Sequence, residues 1–425
     1  MTKPKIFYLS YFFILICCFH TNLFGLLEQK FIQFQNGSDS LILGRLALSN
    51  QEGIFYESGL SGQYGEYMQK DQFEIYENNL KQNPKTFETY CSQVAFHGVV
   101  YSVLDSISPL SKHENLNVFY FISVLLISLI FTLLLIWITN QFNLVTSFIV
   151  FLLIISSYWI VLFSKSIWWN LWSFYLPFVV LLFFLENNKL KTISNFKIFK
   201  ISVFLFFIKC LFSGYEYITT TILMYLIPFV YYAILNSWKI KYLFKKLITA
   251  SVGIILGIFI TFLILIFQIE NLNNQKTSGI NYIIETLKRR SYDVPEKYDG
   301  IMQNSMNATI TDVLKMYTNG EAYVLNFKNV YLKITFLHII LLLLIPFSML
   351  IYNYLKTKNP KIIALTTCFW ISILAPLSWI VFFKSHSYIH THINYIIWYM
   401  PFLLFGFIIT GYSFSKLIEN KFKPD

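Results

Sequence analysis

The sequence predicts an all-α polytopic membrane protein with about ten transmembrane helices, and three observations carry that expectation. The composition is 56% hydrophobic and 19% aromatic with only 13% charged residues, more apolar surface than a soluble core can absorb. Ten windows are apolar enough to enter a bilayer core of roughly 30 Å, which takes about 20 helical residues to cross. The lysine-rich connectors alternate along the chain, as short cytoplasmic loops do. Residues 1–425 read as a single integral membrane domain.

The windows lie near 6–26, 118–138, 144–163, 168–185, 199–215, 218–235, 247–267, 333–355, 362–383 and 394–414. The first follows Lys3 and Lys5 and lacks a small-x-small cleavage site, so it reads as an uncleaved span and not as a signal peptide. Cys17 and Cys18 sit inside it behind Ile16, a poor fit to a lipoprotein cleavage site. The pair of windows around Gly214-Tyr215 is either two crossings or one broken, re-entrant helix.

Lysine placement gives the orientation. With the N-terminus inside, the loops with Lys189, Lys191 and Lys197, with Lys239, Lys241, Lys245 and Lys246, and with Lys356, Lys358 and Lys361 all fall on the cytoplasmic side, as does the tail with Lys416, Lys421 and Lys423. The expected location is therefore the cytoplasmic (inner) membrane of a cell envelope, with both termini cytoplasmic. The net charge of +11 and pI near 9.1 are explained by this orientation, with no nucleic-acid partner.

Two long segments then fall on the extracytoplasmic face, 28–117 and 268–332, with three short connectors, Lys165 to Trp169, Ser213 to Tyr217 and Lys384 to Asn394. The cytoplasmic turns are too short to bind a nucleotide sugar or ATP, and no Walker-type phosphate loop occurs. Of the five cysteines only Cys91 lies in an outer segment, which excludes a disulfide framework and a cysteine metal site.

In the first outer segment, Asp39 within Asn36-Gly37-Ser38-Asp39-Ser40 precedes Leu41 to Leu48, whose pattern suits an interfacial helix capped by Ser38 or Asp39. A second amphipathic stretch, Thr86 to Leu104, suits another helix lying on the membrane, and Gly53, Gly59, Gly62 and Gly65 mark the turns between them. A first span, a long outer segment with an acidic residue before a membrane-surface helix, and a train of further spans resembles the C-type (GT-C) membrane glycosyltransferases. That resemblance implies a sugar moved from a polyprenyl-phosphate-linked donor to a glycan, lipid or protein acceptor on the outer face. It also implies that Asp39 is the catalytic base. No large soluble domain follows the last span, which argues against the oligosaccharyltransferase branch. On its residues alone, Asp39 is either that base or a helix N-cap.

Other candidates come from charge and spacing. The chain has 30 Lys and three Arg, and Arg45, Arg289 and Arg290 all fall outside, where Arg could hold phosphate bidentately; Lys288 to Arg290 also reads as a solvated basic turn. Lys384, His386, His390, His392 and Asn394 form the densest polar cluster, with His386, His390, Asn394 and Trp398 on one stripe of a helix running into the last span. The cluster suits a phosphate or sugar hydroxyls, a divalent metal being the lesser option; an interfacial collar is the bland alternative. Lys209, inside an apolar window, and Glu216, two turns on, read as an internal ion pair or as a cleft-lining pair. Trp168, Trp169 and Trp172 read as an aromatic belt before a sugar-stacking platform. The competing function classes are an O-antigen-polymerase-like glycan ligase and a non-enzymatic transporter or flippase of lipid-linked glycans. The latter is expected to show internal repeats, and none is found.

Overall fold

The computed structural model describes residues 3–22, 28–65, 71–188, 193–273, 278–327 and 330–421. Lys189, Lys191 and Lys423 of the basic loops lie outside them. The chain opens with α1 (Lys3–Thr21), then a folded segment of α2 (Glu28–Glu52), β1 (Gly62–Tyr64), α3 (Asp71–Glu77), β2 (Phe87–Thr89) and α4 (Phe96–Ile107). A helical bundle follows: α5 (Lys112–Gln141), α6 (Leu144–Ile155), α7 (Tyr158–Ser164), α8 (Leu171–Asn187), α9 (Asn195–Ser213), α10 (Ile218–Leu235) and α11 (Ile240–Glu270). A second folded segment holds α12 (Gly279–Arg290), α13 (Gly300–Asn307), α14 (Ile310–Thr318) and a hairpin of β3 (Glu321–Phe327) and β4 (Val330–Thr335). The bundle closes with α15 (Phe336–Thr357), α16 (Pro360–Ser372), α17 (Leu374–Phe382), the short α18 (Lys384–Ile389) and α19 (Thr391–Asn394), and α20 (Phe402–Lys421).

Among the described residues six helical stretches are long and apolar enough to cross a membrane: α5, α10, α11, α15, α16 with α17, and α20. The pair α6 and α7 makes a seventh if taken as one span bent by 71°. Helices α1 and α8 are apolar but shorter, and α9 is as long as a span but carries Lys197, Lys200 and Lys209. Local chemistry sets the boundaries. Ser111 and Glu114 form a capping box at the start of α5, Asn143 caps α6, and Pro360 sits in the first turn of α16. The window expected over 394–414 is interrupted: Tyr395–Tyr399 is a 3-10 turn, and Pro401, with no N–H to donate, delays α20 to Phe402.

The first segment differs from its reading as interfacial helices. No cap forms at Ser38 or Asp39, because α2 runs unbroken through both. Ile42, Leu43, Leu46 and Leu48 are fully buried: apolar side chains on several sides of one helix belong in a core and not on a membrane surface. The stretch Thr86 to Leu104 splits into β2, paired antiparallel to β1 with Gly62 opposite Thr89, and α4. Only α4 is two-faced, with Val103 and Ile107 exposed and Tyr101 and Asp105 buried.

Buried charges knit this segment. Arg45 donates to Ser49 Oγ at 2.9 Å, Tyr56 O at 2.6 Å, Leu60 O at 3.3 Å and Gly53 O at 3.2 Å, so its guanidinium folds the chain after α2 and is not placed for phosphate. The Asp105 carboxylate accepts from Tyr76 (2.7 Å), Asn115 (2.7 Å) and Lys112 (2.6 Å), tying α4 to α3 and α5. At the far end of the bundle Gln141, Glu186 and Tyr232 form a second polar knot, with Gln141 Nε2 2.6 Å and the Tyr232 hydroxyl 2.7 Å from Glu186 Oε2. Lys361 closes it on the Gln141 carbonyl at 2.6 Å. The two folded segments and the α7–α8, α9–α10 and α17–α20 connectors meet at the opposite end.

Candidate functional site

The α9–α10 turn is the hub of that end. Helix α9 stops at Gly214, whose φ of +55° and ψ of −141° suit glycine and whose missing Cβ would lie 2.3 Å from the Gln93 side chain. The first segment therefore seats directly on the turn. Lys209 Nζ donates to the carbonyls of Gly214 (2.7 Å) and Glu216 (2.6 Å), capping the helix end. Of the two readings of Lys209 and Glu216, the ion pair does not form: the Lys209 ammonium is spent on backbone carbonyls and the Glu216 carboxylate pairs elsewhere.

That carboxylate meets two other segments instead. Arg290 Nη1 donates to Glu216 Oε1 at 2.5 Å, and Arg290 Nη2 donates to the Tyr90 hydroxyl at 3.1 Å. His386 Nε2 lies 3.3 Å from Glu216 Oε2. The Arg290 and Glu216 side chains are only 12% and 9% exposed. Burial by itself would raise the Glu216 carboxyl, but Arg290 and His386 outweigh it and hold the group well below the usual carboxylate range. Burial lowers His386, with Glu216 opposing. The basic turn thus divides: Arg290 is in the site, Arg289 is exposed beside it, and Lys288 pairs with Glu285 on the surface.

The histidines continue this file although the expected single helix is broken into α18, α19 and the 3-10 turn. The His386 and His390 rings are 4.5 Å apart, and His390 and His392 are 6.1 Å apart. Burial, with His386 and His392 adding to it, brings His390 down to about 3, so its imidazole is neutral near pH 7. Asn394 Oδ1 accepts from the Tyr217 hydroxyl at 2.7 Å. Lys384 lies outside the file: its ammonium bonds the Met306 and Ala308 carbonyls, both at 2.6 Å, and fixes the end of α13 to α18. Among the described residues no group of three His, Cys, Asp or Glu side chains is arranged to hold a metal ion.

Asp39 reaches the same region from the other side. It is 0% exposed, and its Oδ1 accepts from Ser166 Oγ at 2.6 Å and the Trp168 amide at 3.0 Å. Burial pushes its carboxyl up to about 7 against the opposing pull of Ser166, the Trp168 amide and Tyr120. Trp168 then packs edge-on to Tyr90 at 5.3 Å. Its neighbour Trp169 donates to Ser38 Oγ at 3.0 Å and stacks on Tyr217 at 5.7 Å. Trp168, Trp169 and Trp172 are buried: the first two bind the first segment to the hub, and Trp172 packs on Phe212 of α9, so all three pack inside the protein and not in an exposed belt.

Two spaces of opposite character flank the file. A more polar cavity of about 690 Å³ has Ser38, Trp159, Glu321, Lys333, His390 and His392 in its walls. A narrower, mostly apolar slot of about 220 Å³ runs along Ile218, Ile222, Ile258, Phe262 and Leu265 to Arg290. Reading the sequence singled out Asp39, Glu216, Arg290 and the histidines, which the fold brings together, but missed Tyr90, Ser166, Tyr217, Glu321 and Lys333. Tyr217 had a signal, its place beside Glu216 in a Gly-Tyr-Glu-Tyr turn; Glu321 and Lys333 had none, since they meet only diagonally across the hairpin, where Glu321 lies opposite Thr335 and Lys333 opposite Val324. No protein family, no curated protein and no solved structure matches this chain.

Proposed function

We propose that the protein is a membrane glycosyltransferase that takes a sugar from a lipid-phosphate-linked donor at the extracytoplasmic face of a cytoplasmic membrane. The ten-pass arrangement with both termini inside belongs to this proposal. One observation carries it: an apolar slot ending at a guanidinium and a more polar cavity lined by imidazoles lie on either side of the continuous Arg290, Glu216, His386, His390 file. A lipid-linked sugar phosphate has the same succession of apolar chain, anion and hydroxyl-rich head. The slot suits the chain, Arg290 the phosphate, and the cavity the glycan.

Asp39 is the proton acceptor in this reading. An acceptor hydroxyl attacks the anomeric carbon, its proton passes to the Asp39 carboxylate, and the carbon–phosphate oxygen bond breaks with the electron pair leaving on the phosphate. A carboxyl near 7 is matched to that task, worth about 10²–10⁴-fold. Asp39 lies one residue behind Ser38, on the cavity wall, so the hydroxyl reaches it when the Ser38–Trp169 hydrogen bond opens. Its burial favours a second role, as a latch that seats α2 on the Ser166–Trp168 turn.

Asp39→Asn separates the two, because the amide oxygen can still accept from Ser166 and Trp168. Reconstituted full-length protein is supplied with polyprenyl-phosphate-linked sugar and membrane acceptors. Transfer that disappears in the variant while the unfolding midpoint does not fall supports the base; full activity in the variant removes Asp39 from the chemistry. No transfer by the unaltered protein from donors bearing single sugars or preassembled glycans overturns the enzyme reading.

A further inference from the structure

The cavity's charges are arranged to cancel. Lys333 Nζ sits 3.0 Å from Glu321 Oε1 across the base of the β3–β4 hairpin, at 45% and 26% side-chain exposure. They are the only Lys, Arg, Asp or Glu among its described lining residues. A cavity that selects a sugar acid over a neutral sugar would carry more cations than carboxylates in its walls, as the acid must be repaid for its lost hydration.

The pair is held in place by the wall behind it. Trp159 Nε1 donates to the Glu321 carbonyl at 2.9 Å, and the Phe336 amide donates to the Gly320 carbonyl at 3.1 Å. Gly320 has no Cβ because one would lie 2.0 Å from the Tyr395 ring. The hairpin base is thereby pressed on two aromatic residues, Trp159 and Tyr395, whose rings are 5.0 Å apart. The partly exposed Tyr395 ring beside hydroxyl, amide and imidazole groups offers apolar C–H contact and hydrogen bonds without net charge, while the buried Trp159 backs the wall. At about 690 Å³ the space falls in the range of roughly 300–1,000 Å³ that encloses a small-molecule ligand, with room for more than one sugar ring.

We propose that this cavity is a subsite for an uncharged glycan segment, and that Glu321 and Lys333 are the pair that sets its selectivity. The inference rests on the glycosyltransferase reading for its biological meaning, but its physical content is a binding preference that needs no turnover. Anionic sugars are excluded by Glu321 and cationic ones by Lys333, while hydroxyl-rich neutral rings bond to both.

The test is calorimetric titration of the full chain, in a sugar-free detergent, with uncharged trisaccharides of glucose, galactose, mannose and N-acetylglucosamine, with trigalacturonate, and with the glucosamine trimer. At least one uncharged trisaccharide binds, and both charged trimers bind more weakly. Glu321→Gln strengthens trigalacturonate, and Lys333→Gln strengthens the glucosamine trimer, each by about fivefold, the upper range for a partly exposed charge. Exchanging the two charges, Glu321→Lys with Lys333→Glu, returns the preference for the neutral sugar. Failure of every uncharged trisaccharide to bind, or unchanged selectivity in folded single variants, overturns the proposal. Binding with these shifts but without transfer activity leaves the subsite standing and removes the enzyme reading; transfer without the shifts does the reverse.

Discussion

Replacing Arg290 by Met puts the centre of the site under a defined load. Glu216 loses the guanidinium 2.5 Å away and keeps only His386 at 3.3 Å. Removing one partner of a buried ion pair costs about 3–5 kcal/mol, and the remaining imidazole places this case near 3 kcal/mol. That is about a hundredfold in the folded-to-unfolded ratio. The sign of the pH dependence changes as well. In the unaltered protein the Glu216 carboxyl is held below its ordinary value of 4.5, so its stabilising contribution is complete above that value and is lost as pH falls through the depressed one. Without Arg290 the raising effect of burial dominates, and the carboxylate then costs stability as pH rises past the ordinary value. Unfolding of the detergent-solubilised full chain, followed by tryptophan fluorescence from about pH 4 to about pH 8, should show a gap that widens with pH. Adding Glu216→Gln should recover most of the loss, since no charge is then left buried. A single variant that unfolds with the unaltered protein across this range, or a double variant no better than the single, would refute the reasoning.

Four further outcomes are expected. Asp39→Asn should be more stable than the unaltered protein at about pH 8: a carboxyl raised from 3.8 to about 7 destabilises the fold progressively as pH rises through that interval, by roughly 4 kcal/mol when fully ionised, and thermal unfolding at about pH 4 and about pH 8 reads the difference. The transfer rate of the unaltered protein should rise with pH and level off above about 7, following ionisation of Asp39; a flat profile in the rate of the chemical step counts against it. Arg45→Lys should lower stability by about 3 kcal/mol or more, because an ammonium cannot reach Ser49, Gly53, Tyr56 and Leu60 together and buried acceptors are left unmet at about 1–3 kcal/mol each; equal unfolding midpoints would show that the fork geometry is dispensable. Gly320→Ala should cost about 1–3 kcal/mol through overpacking on Tyr395 and should weaken trisaccharide binding, while an unchanged midpoint and unchanged affinity would show that the hairpin base gives way freely.

Much of the site was legible because ionisable groups are conspicuous in an apolar chain. Glu216, Arg290, His386 and Asp39 each stood out where charge is costly or sparse. Arg45 and Lys384 stood out for the same reason and turned out to bond backbone carbonyls, because a cation is as useful for closing a turn as for holding a ligand. Composition shows only that the cost must be met, and the fold chooses the partner. The helix through Asp39 lies in the core and not at a membrane surface, because polar Ser40, Gly44 and Arg45 do not make a wet face when the apolar residues at 42, 43, 46 and 48 spread around the axis and Ser40 and Arg45 are themselves buried.

By itself the sequence determined the membrane-embedded helical class and, among the described residues, the six long apolar helices within its ten windows, since each follows from the hydropathy and spacing of neighbouring residues. It also located the segments that carry polar chemistry. Only the tertiary structure decided that Glu216 pairs with Arg290 and not with Lys209, that Asp39 faces the Ser166–Trp168 turn, and that Glu321 and Lys333 cancel inside one cavity. Those contacts join residues tens to hundreds of positions apart. Their geometry is set by where helices end and how connectors pack, which no local pattern encodes.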